Sequence, residues 1–243
     1  MSAFPWLTTL GVLPLVGSIV VALLPKSKPT LAKQVALAVS FIVLGGTIAM
    51  ALQFDGSSTA PFQFVESYPW IPAFGISYSV GLDGIGLVLV ALAATLVPIV
   101  ILAGWRDIEG DQESEGSVKG YFALILALEA LMIGVFSATD VFLFYVFFEV
   151  MLIPVYFMIG RCGGPQRSYA AIKFLLYSLL GGLFMLASLI GLYVVSAREL
   201  GTGTFDFLSL VGLDMDPNTQ KMLFLGFFFA FAIKAPLWPF HTW

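Results

Sequence analysis

Seven apolar stretches, each about 20 residues or longer, divide the chain at residues 4–24, 31–53, 84–104, 119–138, 141–160, 169–195 and 221–241. A helix needs about 20 apolar residues to cross the hydrocarbon core of a bilayer. A backbone in lipid must also satisfy its own hydrogen bonds, which leaves helices and closed barrels as the spanning structures. Leu, Ile, Val and Phe are spread all round these runs rather than along one stripe, as suits burial in lipid and against other helices. The pattern predicts an all-α, polytopic transmembrane helix bundle of about seven helices. With 59% hydrophobic and 11% charged residues, there is too little polar surface to cover a water-soluble globule.

The short connections set an orientation. With the N-terminus outside, the inside connections hold Lys26, Lys28, Lys33, Arg106, Lys119, Arg161 and Arg167, and the outside ones only Arg198 and Lys221. Seven cations against two favour that arrangement. No Lys or Arg precedes Lys26 and no small-residue cleavage site follows the first run, so a removed signal peptide is not expected. The chain then divides into residues 1–104, three helices with an outside hairpin-like loop over 54–83; residues 105–118, an acidic inside loop; and residues 119–243, four further helices. The acidic loop reads as a solvated surface segment. The net charge of −4, without any basic stripe, excludes nucleic acid as a partner.

Within the 54–83 loop, residues 62–65 and 76–80 are β-prone and could pair as an outside hairpin broken at Pro69 and Pro72. GLDGIG over 81–86 opens a membrane helix instead of following a buried strand, so it is not a nucleotide cradle. Asp83 and Asp140 stand at helix starts and read as caps. Residues 203–217 form either a surface helix or a plain loop, and Asp206, Asp214 and Asp216 lack the ordered spacing of a calcium loop. Cys162, the single cysteine, excludes an internal disulfide and reads as an inert thiol.

Charges inside the apolar runs are the candidates for function, because intramembrane ionisable groups cost on the order of 3 kcal/mol at the bilayer centre and usually mark ion or proton paths. Glu129 lies ten residues after Lys119, about 15 Å along a helix. Glu149 lies nine residues after Asp140 on the next, antiparallel helix, so both carboxylates fall near the midplane of neighbouring helices. Lys234 is followed by Pro236 and Pro239, which deprive the Ala232 and Ala235 carbonyls of their usual donors and predict a helix break. Such irregular backbone is tolerated at membrane depth where it lines a hydrated cavity or is buried in protein. Burial and a nearby carboxylate act in opposite directions on a lysine, so a Glu149–Lys234 pair with changing separation would be a protonation switch. His241 follows Lys234 by two helical turns and could relay protons on the same face if the prolines leave the helix intact, or could simply cap it. Lys173 either snorkels or continues a central polar line.

ATDVFLFYVFFEVMLIPVYFMIG, RSYAAIKFLLYSLLGGLFML and AFAIKAPLWPFHTW together resemble the antiporter-like subunits of respiratory complex I, nearest to the M and chain 4 type. GISYSVGLDGIGLVLV and LALEALMIGVF share that resemblance. It implies an inverted-repeat, antiporter-like fold, with Glu149 and Lys234 as the paired charges of a proton half-channel and Glu129 and His241 on connected polar sites. Residues 119–243 would then be an incomplete first proton-channel repeat, and the chain is expected to correspond to the N-terminal half of a family member. It implies a non-redox, proton-translocating subunit of NADH:quinone oxidoreductase in a bacterial inner membrane, embedded in lipid beside other membrane subunits. No cofactor is expected in this chain; FMN, iron–sulfur clusters, NADH and quinone belong to partners. A subunit of a multisubunit cation/proton antiporter would use much the same charges, and a structural scaffold would use them only to lock helices together.

Overall fold

A computed structural model describes residues 4–25, 27–106 and 117–243. Lys26, counted in the orientation argument, and residues 107–116, which make up most of the acidic loop read as a solvated segment, lie outside the described residues. Six of the seven apolar runs form helices long and apolar enough to cross a membrane, which makes the chain an integral membrane protein. These are α1 (Trp6–Leu23), α2 (Pro29–Ala51), α3 (Gly84–Ala103), α4 (Ser117–Ser137), the pair α5 (Val141–Val150) and α6 (Leu152–Cys162), and α7 (Arg167–Leu200). The α5–α6 run is interrupted at Met151, and Pro154 has no N–H to offer the Val150 carbonyl. A short helix, α8 (Phe207–Val211), precedes α9 (Pro217–Lys234), which carries the seventh run. That helix opens with the polar PNTQK and stops at Lys234, so its apolar length falls short of the other six.

Strands β1 (Gln63–Ile71) and β2 (Ile76–Leu82) pair antiparallel between α2 and α3. At Pro69 the strand is not broken but its pairing shifts: β1 runs through, with Pro69 opposite Ser77, and the register slips before Ile71 pairs with Ile76. A two-stranded ribbon is all edge, and an edge tolerates a residue without an N–H. Pro72 does end the strand, starting a tight turn that closes on Gly75 at φ 65. A Cβ there would lie 2.8 Å from the Gly203 carbonyl oxygen, so the hairpin tip rests directly on the α7–α8 connection.

Helix ends are satisfied over long sequence distances. The residue before α1 is Pro5, which provides no side-chain cap. Glu66 of β1 takes that place, accepting from the Leu7 N–H at 2.8 Å, the Thr8 N–H at 3.3 Å and the Thr8 hydroxyl. At the other end of α1, Lys119 Nζ donates to the Ala22 and Leu24 carbonyls, each at 2.8 Å. An anion at the N-terminus and a cation at the C-terminus both complement the helix dipole. Lys33, fully buried, donates to the Trp105 carbonyl just beyond α3. Asp140 caps α5 as expected and accepts in addition from Ser77 of β2 at 3.0 Å. Asp83, Asp206 and Asp216 cap α3, α8 and α9; the last two serve different helices.

Helix α4 runs through the middle of the bundle. Its Phe122, Ile125 and Leu126 pack with Val21 of α1, Ala32 and Ala36 of α2, and Val97 and Ile101 of α3. Nearer the hairpin, Ile133 joins Leu7, Leu10, Val43, Met50 and Leu82. A further cluster of Phe148, Met185 and Ala230 links α5, α7 and α9.

Candidate functional site

Glu129 sits on the inward stripe of α4, spaced with Phe122, Leu126 and Ile133, and has no exposed surface. Neither carboxylate oxygen has a hydrogen-bond partner. A buried polar group without a partner is costly and needs a reason. For a carboxyl at membrane depth, a role in holding or passing a proton is such a reason.

Glu149 occupies the last turn of α5, just before the interruption at Met151. Its carboxylate lies against α7 at Gly182, and its Oε1 is buried without a partner. Lys234, the last residue of α9, reaches the same turn: its Nζ donates to the Phe148 carbonyl at 3.1 Å and stands 4.1 Å from the centre of the Phe148 ring. The last four carbonyls of a helix lack intrahelical donors, so Lys234 caps α5 one residue away from Glu149. The two charges are therefore neighbours whose electrostatic fields overlap, while the lysine's hydrogen bond goes to backbone and not to the carboxylate. A carbonyl and an aromatic face hold a lysine in place without fixing the carboxylate beside it.

The break foreseen at Pro236 and Pro239 is present, since α9 ends at Lys234. The Ala232 carbonyl is not left bare, however. The Leu237 N–H replaces the missing proline donor at 2.8 Å, a wider turn that recovers the bond. Beyond it the chain folds back, with the Trp243 indole N–H donating to the Ile233 carbonyl at 2.7 Å and its ring 5.0 Å from that of Phe174. His241 thus sits in a separate short turn and is exposed. Its alignment with Lys234 depended on an intact helix, and the helix is not intact. Lys173 lies half-buried between two tyrosines of its own helix, 6.0 Å from the Tyr169 ring and 5.9 Å from that of Tyr177. An apolar cleft of about 550 Å³, walled by Leu89, Val135, Phe144, Leu192, Phe207 and Phe231 among others, does not include Glu129, Glu149 or Lys234.

The family described as "NADH:quinone oxidoreductase/Mrp antiporter, TM" matches residues 138–243, the part that carries Glu149 and Lys234. Over its full length the chain is 46% identical to NADH-quinone oxidoreductase subunit M of Mycobacterium tuberculosis, covering 49% of that protein. Across its length the chain is thus similar to the antiporter-like M and chain 4 subunits of complex I. It is 41% identical to NADH-ubiquinone oxidoreductase chain 4 of Arabidopsis thaliana, over 95% of this chain and 44% of that one. Its fold matches a chain of respiratory complex I from Thermus thermophilus with TM-score 0.81 and 29% identity, over 98% of this chain and 45% of that one. A chain of the Mrp complex from Dietzia sp. DQ12-45-1b shares the fold, with TM-score 0.77 at 21% identity, over 98% of this chain and 24% of that one. The chain spans about half the length of the curated relatives it matches.

Two features of the site were missing from the sequence reading. The Phe148 carbonyl as the seat of Lys234 had only an indirect signal in Pro154, which frees the carbonyl of Val150 two residues further on. The contact of Gly182 with Glu149 had none, because a glycine does not announce what faces it.

Proposed function

We propose that this chain acts in a proton-translocating membrane-arm subunit of NADH:quinone oxidoreductase, with Glu149 and Lys234 as the proton-handling pair and Glu129 as a connected carboxyl. The carrying observation is the seat of Lys234 on the Phe148 carbonyl, next to Glu149 and at the end of two interrupted helices. A proton leaves Lys234 when the carboxylate withdraws and returns when it closes. Because the lysine is held by backbone, that movement does not first have to break an ion pair. Redox chemistry, with FMN, iron–sulfur clusters, NADH and quinone, belongs to other subunits of the complex in a bacterial inner membrane, and this chain contributes no redox centre. His241, at the exposed end, serves at most the mouth of the path.

The test is quinone-linked proton pumping by assembled complex carrying Glu149→Ala or Lys234→Ala. Pumping is expected to be lost while the complex still assembles. Full pumping by both variants refutes the assignment, and impaired assembly with normal pumping of what does assemble points to a scaffold. The family description, which joins NADH:quinone oxidoreductase with the Mrp antiporter, supports a second reading, a cation/proton antiporter subunit. Cation-dependent collapse of a pH gradient without quinone reductase would select it.

A further inference from the structure

Helix α7 carries two adjacent buried glycines, Gly181 and Gly182, in the middle of its length. Gly182 meets Glu149, and Gly181 meets the helix that carries Lys234. A Cβ on Gly182 would lie 2.3 Å from Glu149 Oε1, 2.5 Å from its Cδ and 2.6 Å from Oε2. No side chain except glycine leaves room for that carboxylate where it stands. A Cβ on Gly181 would lie 3.2 Å from Ala230 Cα and 3.2 Å from Ile233 Cδ1, both on α9. The first glycine therefore lets α9, the helix ending in Lys234, pack closely on α7, and the second holds open the notch for the carboxylate.

We propose that Gly182 is a positioning residue for proton transfer: its missing side chain forms the seat of the Glu149 carboxylate, and Gly181 sets the helix that carries Lys234 beside it. The helix itself has no need of glycine here, since alanine is the better helix former at an interior position. What an alanine would displace is the far end of a flexible glutamate, which can swing away without unpacking the bundle. The substitution thus moves the carboxylate while leaving α7 in place. This inference rests on the role assigned above to Glu149.

The experiment compares Gly182→Ala, Glu149→Asp and the double variant in assembled complex, measuring protons pumped per quinone reduced. Gly45→Ala is the control, as a Cβ there meets nothing within 4 Å. Misplacement of a reacting group by about 1 Å can cost about 100-fold in rate, so Gly182→Ala is expected to reduce pumping about tenfold or more while Gly45→Ala leaves it unchanged. Aspartate is one methylene shorter than glutamate and draws the carboxyl back from the alanine Cβ, so Gly182→Ala should cost much less beside Glu149→Asp than it does in the wild type. If Gly182→Ala pumps like the wild type, or if it costs as much beside Glu149→Asp as in the wild type, the proposal is overturned. If Gly182→Ala fails to assemble but assembles alongside Glu149→Asp, the proposal stands; failure of both overturns it. Glu149→Ala separates the two levels. Full pumping in that variant removes the role of Glu149 itself, whereas lost pumping there with normal Gly182→Ala removes only the seat.

Discussion

Replacing Asp140 tests whether one carboxylate joins the hairpin to the second half of the bundle. Its side chain is 2% exposed; Oδ1 accepts from the Phe142 and Leu143 N–H groups at 2.9 and 3.0 Å, and Oδ2 from the Ser77 N–H at 3.0 Å. Loss of a helix cap costs typically about 1 kcal/mol, and a buried donor left without an acceptor about 1–3 kcal/mol. Part of this is returned, because the carboxylate itself is desolvated and faces Asp206 across a backbone bridge. With that return, Asp140→Ala should destabilise the chain by about 2–3 kcal/mol. Asp140→Asn keeps an acceptor for α5 but turns an amide N–H toward Ser77, so it should lose about 1–2 kcal/mol. Reversible unfolding in mixed lipid and detergent micelles measures the series. Equal losses in the two variants, or Asp140→Ala within about 0.5 kcal/mol of the wild type, would refute the bridging role.

Acidity should widen the gap between the wild type and Asp140→Asn. Burial pushes the Asp140 carboxyl above its ordinary 3.8 against the pull of the Ser77, Leu143 and Phe142 N–H groups, and the Asp206 charge pushes it further. The native state then holds this proton more tightly than the unfolded chain, so its contribution to stability rises as pH falls through the interval above 3.8 and is lost as pH climbs back; a gap that narrows on acidification contradicts this. Glu66→Ala should cost about 2–3 kcal/mol and speed hydrogen exchange at the Leu7 and Thr8 amides, while Glu66→Gln loses only the charge–dipole part, about 0.3–1 kcal/mol. Unchanged exchange would show that water caps α1 equally well. Glu129→Met removes a buried carboxyl without partners at similar volume, so it should stabilise the chain by about 1–3 kcal/mol while abolishing pumping in assembled complex. A destabilised Glu129→Met would mean that the carboxyl has a structural use.

Spans were legible because crossing a bilayer imposes a length that a run of apolar residues either has or lacks. The helix break was legible too, since Pro236 and Pro239 act on their own backbone. Long-range caps were not: Lys33 and Lys119 entered the sequence reading only as topology markers, yet each also satisfies the end of another helix, a contact fixed by packing and not by spacing. Pro69 disturbs the register without ending the strand, because whether a proline sits on an edge depends on how many strands form. His241 was placed near Lys234 by helical periodicity, which stops applying where the helix does. The neighbourhood of Glu149 and Lys234 came from family resemblance, and the geometry adds what resemblance could not, a carbonyl for the lysine and a glycine for the carboxylate.

The cap on α1 has a consequence for how the chain is made. Glu66 is 59 residues downstream of Leu7, and at roughly 5–20 residues per second of synthesis it follows that residue by about 3–12 s. The hairpin must then reach the membrane face where α1 begins before its carboxylate can replace water at the bare amides. Lys119, which closes the opposite end, arrives later still. Entry into the bilayer and completion of α1 are therefore separate events, and until residues 66 and 119 have been made the helix has neither of these two caps.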